Sequence, residues 1–289
     1  TASRPPMKKV ISTIKKDLES GNALSKCFEK HTKIFDTVVV NLIKAGEASG
    51  KLDTFLQKIV INLEKREKIK SQIKSALFYP GVLFSVAILV TVFMLMNVVP
   101  TFVNMYEGMG MADDLPTPTA VIMSMSEFVR SSGGFFLLVF IISFVVGFKF
   151  LIKKNYEVRK NWHRIMMKLP IFGNLIQKSI LAKVSLVLGN LNQAGVDLIE
   201  SIDIAKSVTD NVIVVEALER IKKGVFSGET LTDLFNKEKI FPPTFSQLIS
   251  VGEQTGSLDE MFTSIAIYYE EEFDVAVANL ASLIEPIMI

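Results

Sequence analysis

The sequence contains a single cysteine, Cys27, which excludes a framework of intrachain disulfides. Such scarcity is typical of proteins kept in a reducing compartment, and we interpret Cys27 as a small, half-buried side chain. An excess of either charge is also lacking, because the formal net charge is only +2. This near balance argues against a nucleic-acid binder that works through a basic surface. We therefore expect no contact with nucleic acid.

Residue sets with a catalytic or metal-binding spacing are also lacking. His31 and His163 lie far apart in the chain, without the spacing of metal ligands. The segment 224–232 contains glycines but lacks the lysine and the preceding strand of a phosphate-binding loop. No Ser/His/Asp or Cys/His arrangement for nucleophilic catalysis is visible. The sequence thus predicts no catalytic residue, no cofactor and no metal, and it indicates that the protein is not an enzyme.

Charge is missing from two long runs of an otherwise well-charged chain. Residues 75–106 carry no charged side chain, and 76–100 would be about 37 Å long as an α-helix. That length exceeds the roughly 30 Å hydrocarbon core of a bilayer, so this helix can cross it with tilt. The second run, 131–148, is nearly minimal for a span, and Lys149 can extend to the interface. We expect transmembrane helices at 75–100 and 133–152; for the second, a buried helix of a soluble domain is the alternative.

The charges around these spans predict their orientation. Cations precede the first span and follow the second: Lys65, Arg66, Lys68, Lys70 and Lys74, then Lys149, Lys153, Lys154, Arg159 and Lys160. Between the spans, acids outnumber a lone cation: Glu107, Asp113, Asp114 and Glu127 against Arg130. Because lysine and arginine favour the cytoplasmic side of a membrane, both long polar regions are expected in the cytoplasm. The short connection, 101–132, is expected on the external, periplasmic side.

The two polar regions contain the same turn. The segment LIKAGEASGKLD begins at Leu42 and LISVGEQTGSLD at Leu248, with seven of twelve positions identical. Upstream, ESGNALSKCFEKHTKIF parallels FSGETLTDLFNKEKIF with a shift of one residue. Downstream, both copies continue with an apolar stripe at helical spacing. The sequence therefore predicts an internal duplication, in which each copy is a helical bundle whose last helix runs toward the membrane.

Glycine and glutamate define the repeated turn. The residues are Gly46, Glu47 and Gly50 in the first copy and Gly252, Glu253 and Gly256 in the second. The glycines suit positions of positive φ or of close backbone approach. A carboxylate near a helix C-terminus is unfavourable, so each glutamate needs a compensating hydrogen-bond donor. That donor lies either inside the fold, where it stabilises the turn, or on a partner protein.

The second polar region is long enough for a domain of about six helices. Gly195 is expected to end one helix in a left-handed conformation, and Asp197 to cap the next. Pro242 and Pro243 are expected to open the helix that leads to the second turn. An acidic run, YYEEEFD at 268–274, is either a solvated helix face or a contact with a basic partner surface.

Together these motifs resemble the GspF/PilC family, the inner-membrane platform proteins of bacterial type II secretion systems and type IV pili. The order and spacing of the motifs are specific over nearly the whole chain. The resemblance rests on both turns, on KLPIFGNL and NQAGVDL, on Tyr79 and Pro80 at the start of the first span, on Leu115, Pro116 and Thr119, and on Glu285 and Pro286.

The resemblance implies an all-α membrane protein with two homologous six-helix cytoplasmic domains linked by transmembrane helices. On this pattern 1–74 is a partial first domain with about four helices, and 153–275 is a complete second domain. Residues 276–289 would begin a third span. The last helix of each copy would enter the membrane at Tyr79 and Pro80 or at Glu285 and Pro286. We expect the chain to be a piece of a longer protein.

The resemblance also implies a non-enzymatic function in the bacterial inner (plasma) membrane. Such a platform binds a hexameric cytoplasmic assembly ATPase and passes its motion to pilins or pseudopilins. Other inner-membrane assembly components, the lipid bilayer and further copies of the chain in a homo-oligomer are the remaining implied partners. A membrane transporter or a signalling scaffold is the alternative, although the predicted spans lack the central ionisable residues that transporters use.

Overall fold

The computed structural model describes residues 5–32, 34–108, 117–170 and 172–288, without the side chains of 5, 6, 77, 107 and 280–288. Every regular element in these residues is helical, so the fold is all-α as predicted. The helices are α1 (Pro5–Glu19), α2 (Leu24–Glu29), α3 (Thr37–Ser49), α4 (Leu52–Phe93), α5 (Val99–Gly108), α6 (Thr117–Arg130), α7 (Ser132–Lys154), α8 (Tyr156–Lys168), α9 (Phe172–Gln193), α10 (Leu198–Lys206), α11 (Val212–Phe226), α12 (Leu231–Lys237), α13 (Pro243–Thr255) and α14 (Leu258–Met288).

The chain divides into two compact units. The first contains residues 1–73 and 163–279, and the second contains 74–162 and 280–289. Both copies of the repeated turn therefore belong to the first unit, and the two uncharged runs belong to the second. Asp113, Asp114, Leu115 and Pro116 lie outside the described residues.

The first unit has one apolar core that both sequence copies share. Leu42, Ile43 and Phe55 of the first copy join the same buried cluster as Leu188 and Phe262 of the second. All five side chains are at most 3% exposed. Burying one such side chain contributes about 1.5–3 kcal/mol. Since these side chains share one cluster, α3 and α4 of the first copy draw part of their stability from the second.

Local signals place the helix ends of the second copy where the sequence predicts them. Gly195 has φ 74°, and the Asp197 side chain caps α10 by accepting a hydrogen bond from the N–H of Ile199 at 2.8 Å. Pro243 begins α13. The described part of 153–275 contains seven helices rather than about six. The additional boundary lies at Pro170, because a proline disfavours helical backbone in the residue before it.

Two helical stretches of the second unit are long and apolar enough to cross a membrane. One lies in the continuous helical segment Leu52–Tyr106 and the other is Ser132–Lys154. Only 6% of the most apolar window of the first stretch, and none of the second, is buried within the protein. Exposed apolar surface on this scale favours a lipid environment over water. The protein is therefore an all-α membrane protein, with α7 almost coincident with the predicted span 133–152.

The short connection 101–132 is largely helical where it is described. A π-helical segment, Met94–Val98, precedes α5 and shifts the backbone pairing so that the Val99 N–H donates to the Met94 carbonyl. In that register the carbonyl of Leu95 faces Pro100, which has no N–H. The hydroxyl of Ser126 in α6 donates to the Leu95 carbonyl at 2.5 Å instead. This bond satisfies the carbonyl and joins α6 to the π-helical segment.

Candidate functional site

The repeated turn contains two kinds of glycine with different physical roles. Gly50 and Gly256 end α3 and α13 with φ of 68° and 73°, in the left-handed region that L side chains rarely adopt. Backbone bonds close both turns: the Lys51 N–H donates to the Gly46 carbonyl at 3.1 Å, and the Ser257 N–H donates to the Gly252 carbonyl at 3.0 Å. Of the two alternatives for the glycines, positive φ therefore applies to the second glycine of each motif.

The first glycine of each motif is helical and allows two helices to approach closely. A Cβ atom at Gly46 would lie 2.9 Å from the Cβ of Phe55 in α4, nearer than real Cβ contacts allow. A Cβ at Gly252 would lie 2.8 Å from the Cγ of Met261 and 3.1 Å from the Cα of Leu258 in α14. Each turn thus brings consecutive helices into contact at a position where only glycine fits without displacement.

The glutamate of the first turn caps a short helix. One carboxylate oxygen of Glu47 accepts a hydrogen bond from the N–H of Leu24 at 2.5 Å. The other accepts from the N–H of Ser25 at 3.3 Å and from its hydroxyl at 2.5 Å. These donors lie at the N-terminus of α2, where backbone N–H groups have no partner within the helix and the helix dipole favours negative charge.

The glutamate of the second turn makes the same contacts with α12. Glu253 accepts from the N–H of Leu231 at 2.8 Å and from the N–H of Thr232 at 3.2 Å. The Thr232 hydroxyl donates to it at 2.8 Å. Of the two alternatives for the glutamates, the structure supplies donors within the fold. The upstream segments of the two copies are shifted by one residue relative to the turns, but the two glutamates still make the same kinds of contact.

Sequence reasoning missed these donors, although the signal was present. The motif quoted upstream contains Leu24 and Ser25 in the first copy and Leu231 and Thr232 in the second. In both copies a hydroxyl residue occupies the position that contacts the glutamate. Because a hydroxyl residue recurs at this position in both copies, it could have been identified from the sequence as the glutamate's partner.

A polar network joins α4 and α14 in the first unit. The ammonium of Lys65 lies 2.6 Å from the carboxylate of Glu270. The ammonium of Lys68 lies 3.1 Å from Glu270 and 3.2 Å from Asp274. The side-chain amide of Gln72 donates to Asp274 at 2.9 Å. Burial alone would raise the pKa of the Glu270 carboxyl, but the hydrogen bonds from Lys65 and Lys68 outweigh it and lower the pKa below its ordinary value.

The same network identifies what the acidic run 268–274 contacts. In addition to Glu270 and Asp274, Glu272 accepts from the ammonium of Lys178 in α9 at 2.7 Å. These three acids therefore face basic side chains of the same chain rather than an unpaired surface. Among the acids of the run, Glu271 is the exposed one.

The residues predicted to mark the membrane boundary belong to the second unit, whereas the two turns belong to the first. Tyr79 is 61% exposed, and Pro80 lies inside α4. Glu285 and Pro286 belong to the backbone of α14, but their side chains lie outside the described residues. The structure thus separates the predicted site residues into two glutamate-capped turns and a separate membrane-boundary segment.

The two histidines lie in different elements of the first unit. His163 accepts a hydrogen bond through Nδ1 from the N–H of Val212, at the start of α11, at 3.1 Å. His31 lies in the turn that follows α2. Within the described ranges, no group of three or more histidine, cysteine or acidic residues is arranged to hold a metal ion.

Comparison with known proteins agrees with the duplication. The family model described as "Type II secretion system (T2SS), protein F" matches residues 1–100 and 185–289, so each matched segment contains one copy of the turn. The chain is 36% identical over 286 residues to the type IV pilus assembly protein PilC of Pseudomonas aeruginosa, covering 98% of this chain and 75% of that protein.

This chain aligns over similar shares of relatives named for type IV pili and of relatives named for type II secretion. The PilC protein of Thermus thermophilus is 35% identical over 286 residues, covering 98% of this chain and 68% of that protein. The type II secretion system protein F of Aeromonas hydrophila is 30% identical over 288 residues, covering 98% of this chain and 72% of that protein. Because the family model covers both copies and more than half of the sequence, this chain belongs to the type II secretion system protein F family, the GspF/PilC family that its motifs resemble.

Proposed function

We propose that this protein is a non-enzymatic assembly platform in the bacterial inner membrane, serving a type IV pilus or a type II secretion machine. Its relatives are named as type IV pilus assembly proteins and as a type II secretion system protein. In this proposal both polar regions lie in the cytoplasm, with the spans between them. The platform binds a hexameric cytoplasmic ATPase and transmits its motion to pilins or pseudopilins.

The observation that carries the proposal is the duplicated, glutamate-capped turn within one shared core. Glu47 and Glu253 hold equivalent short helices, α2 and α12, in equivalent positions relative to their turns. A duplicated lobe offers two similar surfaces, and a ring-shaped motor presents repeated surfaces of its own. Two matched contacts on one folded unit would raise the effective concentration of the second contact once the first has formed. The platform is also proposed to form a homo-oligomer and to contact other inner-membrane assembly components.

The test is capture of the cytoplasmic assembly ATPase by the full-length protein from membranes, together with restoration of pili or secretion in a deletion strain. The platform predicts that the ATPase copurifies and that assembly is restored. Solute flux across reconstituted vesicles without ATPase capture would favour a transporter. Assembly that proceeds normally in the deletion strain would contradict the platform. Loss of pili in the deletion strain would identify the apparatus as a type IV pilus, and loss of a secreted protein would identify it as a type II secretion machine.

A further inference from the structure

The end of the second span and the helix that follows it form a basic, aromatic surface that the proposed function does not use. Asn155 ends α7 with an extended backbone conformation. Its side-chain oxygen then accepts hydrogen bonds from the N–H groups of Glu157 and Val158, at 3.0 and 3.4 Å, at the start of α8. One residue therefore ends the span and begins the next helix, so the first turns of α8 lie close to the membrane boundary.

A ring contact fixes the depth of α8 relative to the span. Trp162 packs edge to face on Phe148, with ring centroids 5.1 Å apart. Phe148 is the last residue of the uncharged run that crosses the membrane. Since Trp162 lies beside it, the indole is at the level where the apolar run ends. Tryptophan is enriched at this level of a bilayer, because its ring is apolar and its N–H is polar.

The charge around this aromatic pair is mostly of one sign. Lys149, Lys153 and Lys154 are exposed at the end of α7, and Lys154 lies over the ring of Phe150 with its ammonium 5.9 Å from the centroid. In the first turns of α8, the guanidinium of Arg159 lies over the ring of Tyr156 at 5.6 Å. From 149 to 162 the chain has five cations and one acid, Glu157.

We propose that this surface, formed by the end of α7 and the first half of α8, binds the anionic headgroups of membrane phospholipids. The aromatic pair holds the surface at the membrane boundary, and the exposed lysines face the depth at which lipid phosphates lie. A cation near an anionic bilayer surface favours binding by about fivefold, and the effects of neighbouring cations accumulate. Charge complementarity and covalent continuity with the span favour lipid over a soluble anion. The proposal requires α7 to cross a membrane, but it does not depend on the ATPase or the pilins.

The chain provides its own probe, because Trp162 is its one tryptophan. The full chain is reconstituted in nanodiscs of phosphatidylcholine containing a fixed fraction of lipid brominated near the headgroup end of its acyl chains. The brominated lipid is either phosphatidylglycerol, which is anionic, or phosphatidylcholine, which is not. Bromine quenches indole fluorescence at short range. We expect quenching by both lipids, and at least twofold stronger quenching by phosphatidylglycerol, with the difference decreasing as salt is raised.

Variants assign the preference to these cations. The triple substitution K149Q/K153Q/K154Q should remove the preference for phosphatidylglycerol while leaving quenching by phosphatidylcholine in place. The triple arginine variant at the same three positions should retain the preference. The control K8Q/K9Q/K16Q, which removes the same number of positive charges from α1, should behave as the unmodified chain. Equal quenching by both lipids in the unmodified chain would overturn headgroup recognition. If neither lipid quenches the fluorescence of Trp162, its placement at the membrane boundary is overturned. Neither result would bear on ATPase capture.

Discussion

Glu253 accepts hydrogen bonds from both the backbone N–H and the hydroxyl of Thr232, at 3.2 and 2.8 Å. Glu47 has the same relationship to Ser25, at 3.3 and 2.5 Å. Each glutamate thus holds the start of a short helix against the end of a longer one. A six-residue helix such as α2 is too short to be stable by itself, so this capping carboxylate contributes to its stability together with the packing of its buried side chains.

Removal of the carboxylate should destabilise the first unit. We expect Glu253→Ala to lower the free energy of unfolding by about 1–2 kcal/mol, because the N–H groups of Leu231 and Thr232 lose their acceptor. Glu253→Gln should cost less, since the amide oxygen can still accept one bond. The matched control is Glu271→Ala, which removes an exposed carboxylate from the neighbouring helix α14. Thermal unfolding of the full chain in detergent measures the difference; equal midpoints for Glu253→Ala and the control would exclude the capping role.

The two glycines of each turn should respond differently to a methyl group. We expect Gly46→Ala to cost about 1–3 kcal/mol by overpacking, because the new Cβ meets the Cβ of Phe55, which cannot rotate away. Gly252→Ala should cost less, since its nearest atom is the Cγ of Met261, which can move. At Gly50 the added methyl meets no atom within 4 Å. Gly50→Ala should still cost about 1 kcal/mol through its positive φ.

Gly81→Ala provides the control for these substitutions. Gly81 lies inside α4 with nothing within 4 Å of its ideal Cβ, so an alanine there should be neutral or stabilising. Unfolding midpoints of the four variants should therefore separate steric cost from backbone strain. If Gly46→Ala were as stable as Gly81→Ala, close helix approach would not explain the first glycine of the motif.

The Glu270 network should make stability depend on pH. The pKa of Glu270 is lower in the folded protein than its ordinary value of 4.5 because Lys65 and Lys68 donate to the carboxylate. A carboxyl with a lowered folded pKa contributes stability that is fully present above its unfolded pKa and is lost as pH falls through the folded pKa. We therefore expect the advantage of the unmodified chain over Glu270→Gln to be constant above about pH 5.5 and to shrink below pH 4.5. Unfolding midpoints across that range measure it; an advantage that stays constant down to pH 3 would contradict the prediction.

Membrane orientation can be tested by cysteine labelling. Single cysteines at Asp113, between the spans, and at Ser227, after α11, are introduced into a Cys27→Ser background. From the charge asymmetry around the spans, only the cysteine at position 113 should react with an impermeant maleimide in cells whose outer membrane has been opened. Full permeabilisation should then expose Ser227→Cys and confirm that it can react. Equal labelling before permeabilisation would rule out a topology with both polar regions in the cytoplasm.

Several features followed from the sequence because they depend on local chemistry. The left-handed conformation of Gly195, the cap at Asp197 and the extent of α7 each depend on a few adjacent residues or on one uninterrupted apolar run. The duplication was also readable, since it preserves residue identity at fixed spacing. The helices within 101–132 were not predicted, because their amphipathic pattern was interpreted only for its charge.

The tertiary structure decided which side chains meet. Glu47 and Leu24 are separated by 23 residues, and Lys65 and Glu270 by 205, so neither pair follows from helical periodicity. From the sequence, the glutamates needed hydrogen-bond donors that could not be identified, and the acidic run had a possible basic partner that could not be identified. In the folded protein both are residues of the same chain. The shared core of the two copies has the same origin. Apolar stripes specify that a helix face must be buried, but only the packing of the whole unit determines which helix covers it.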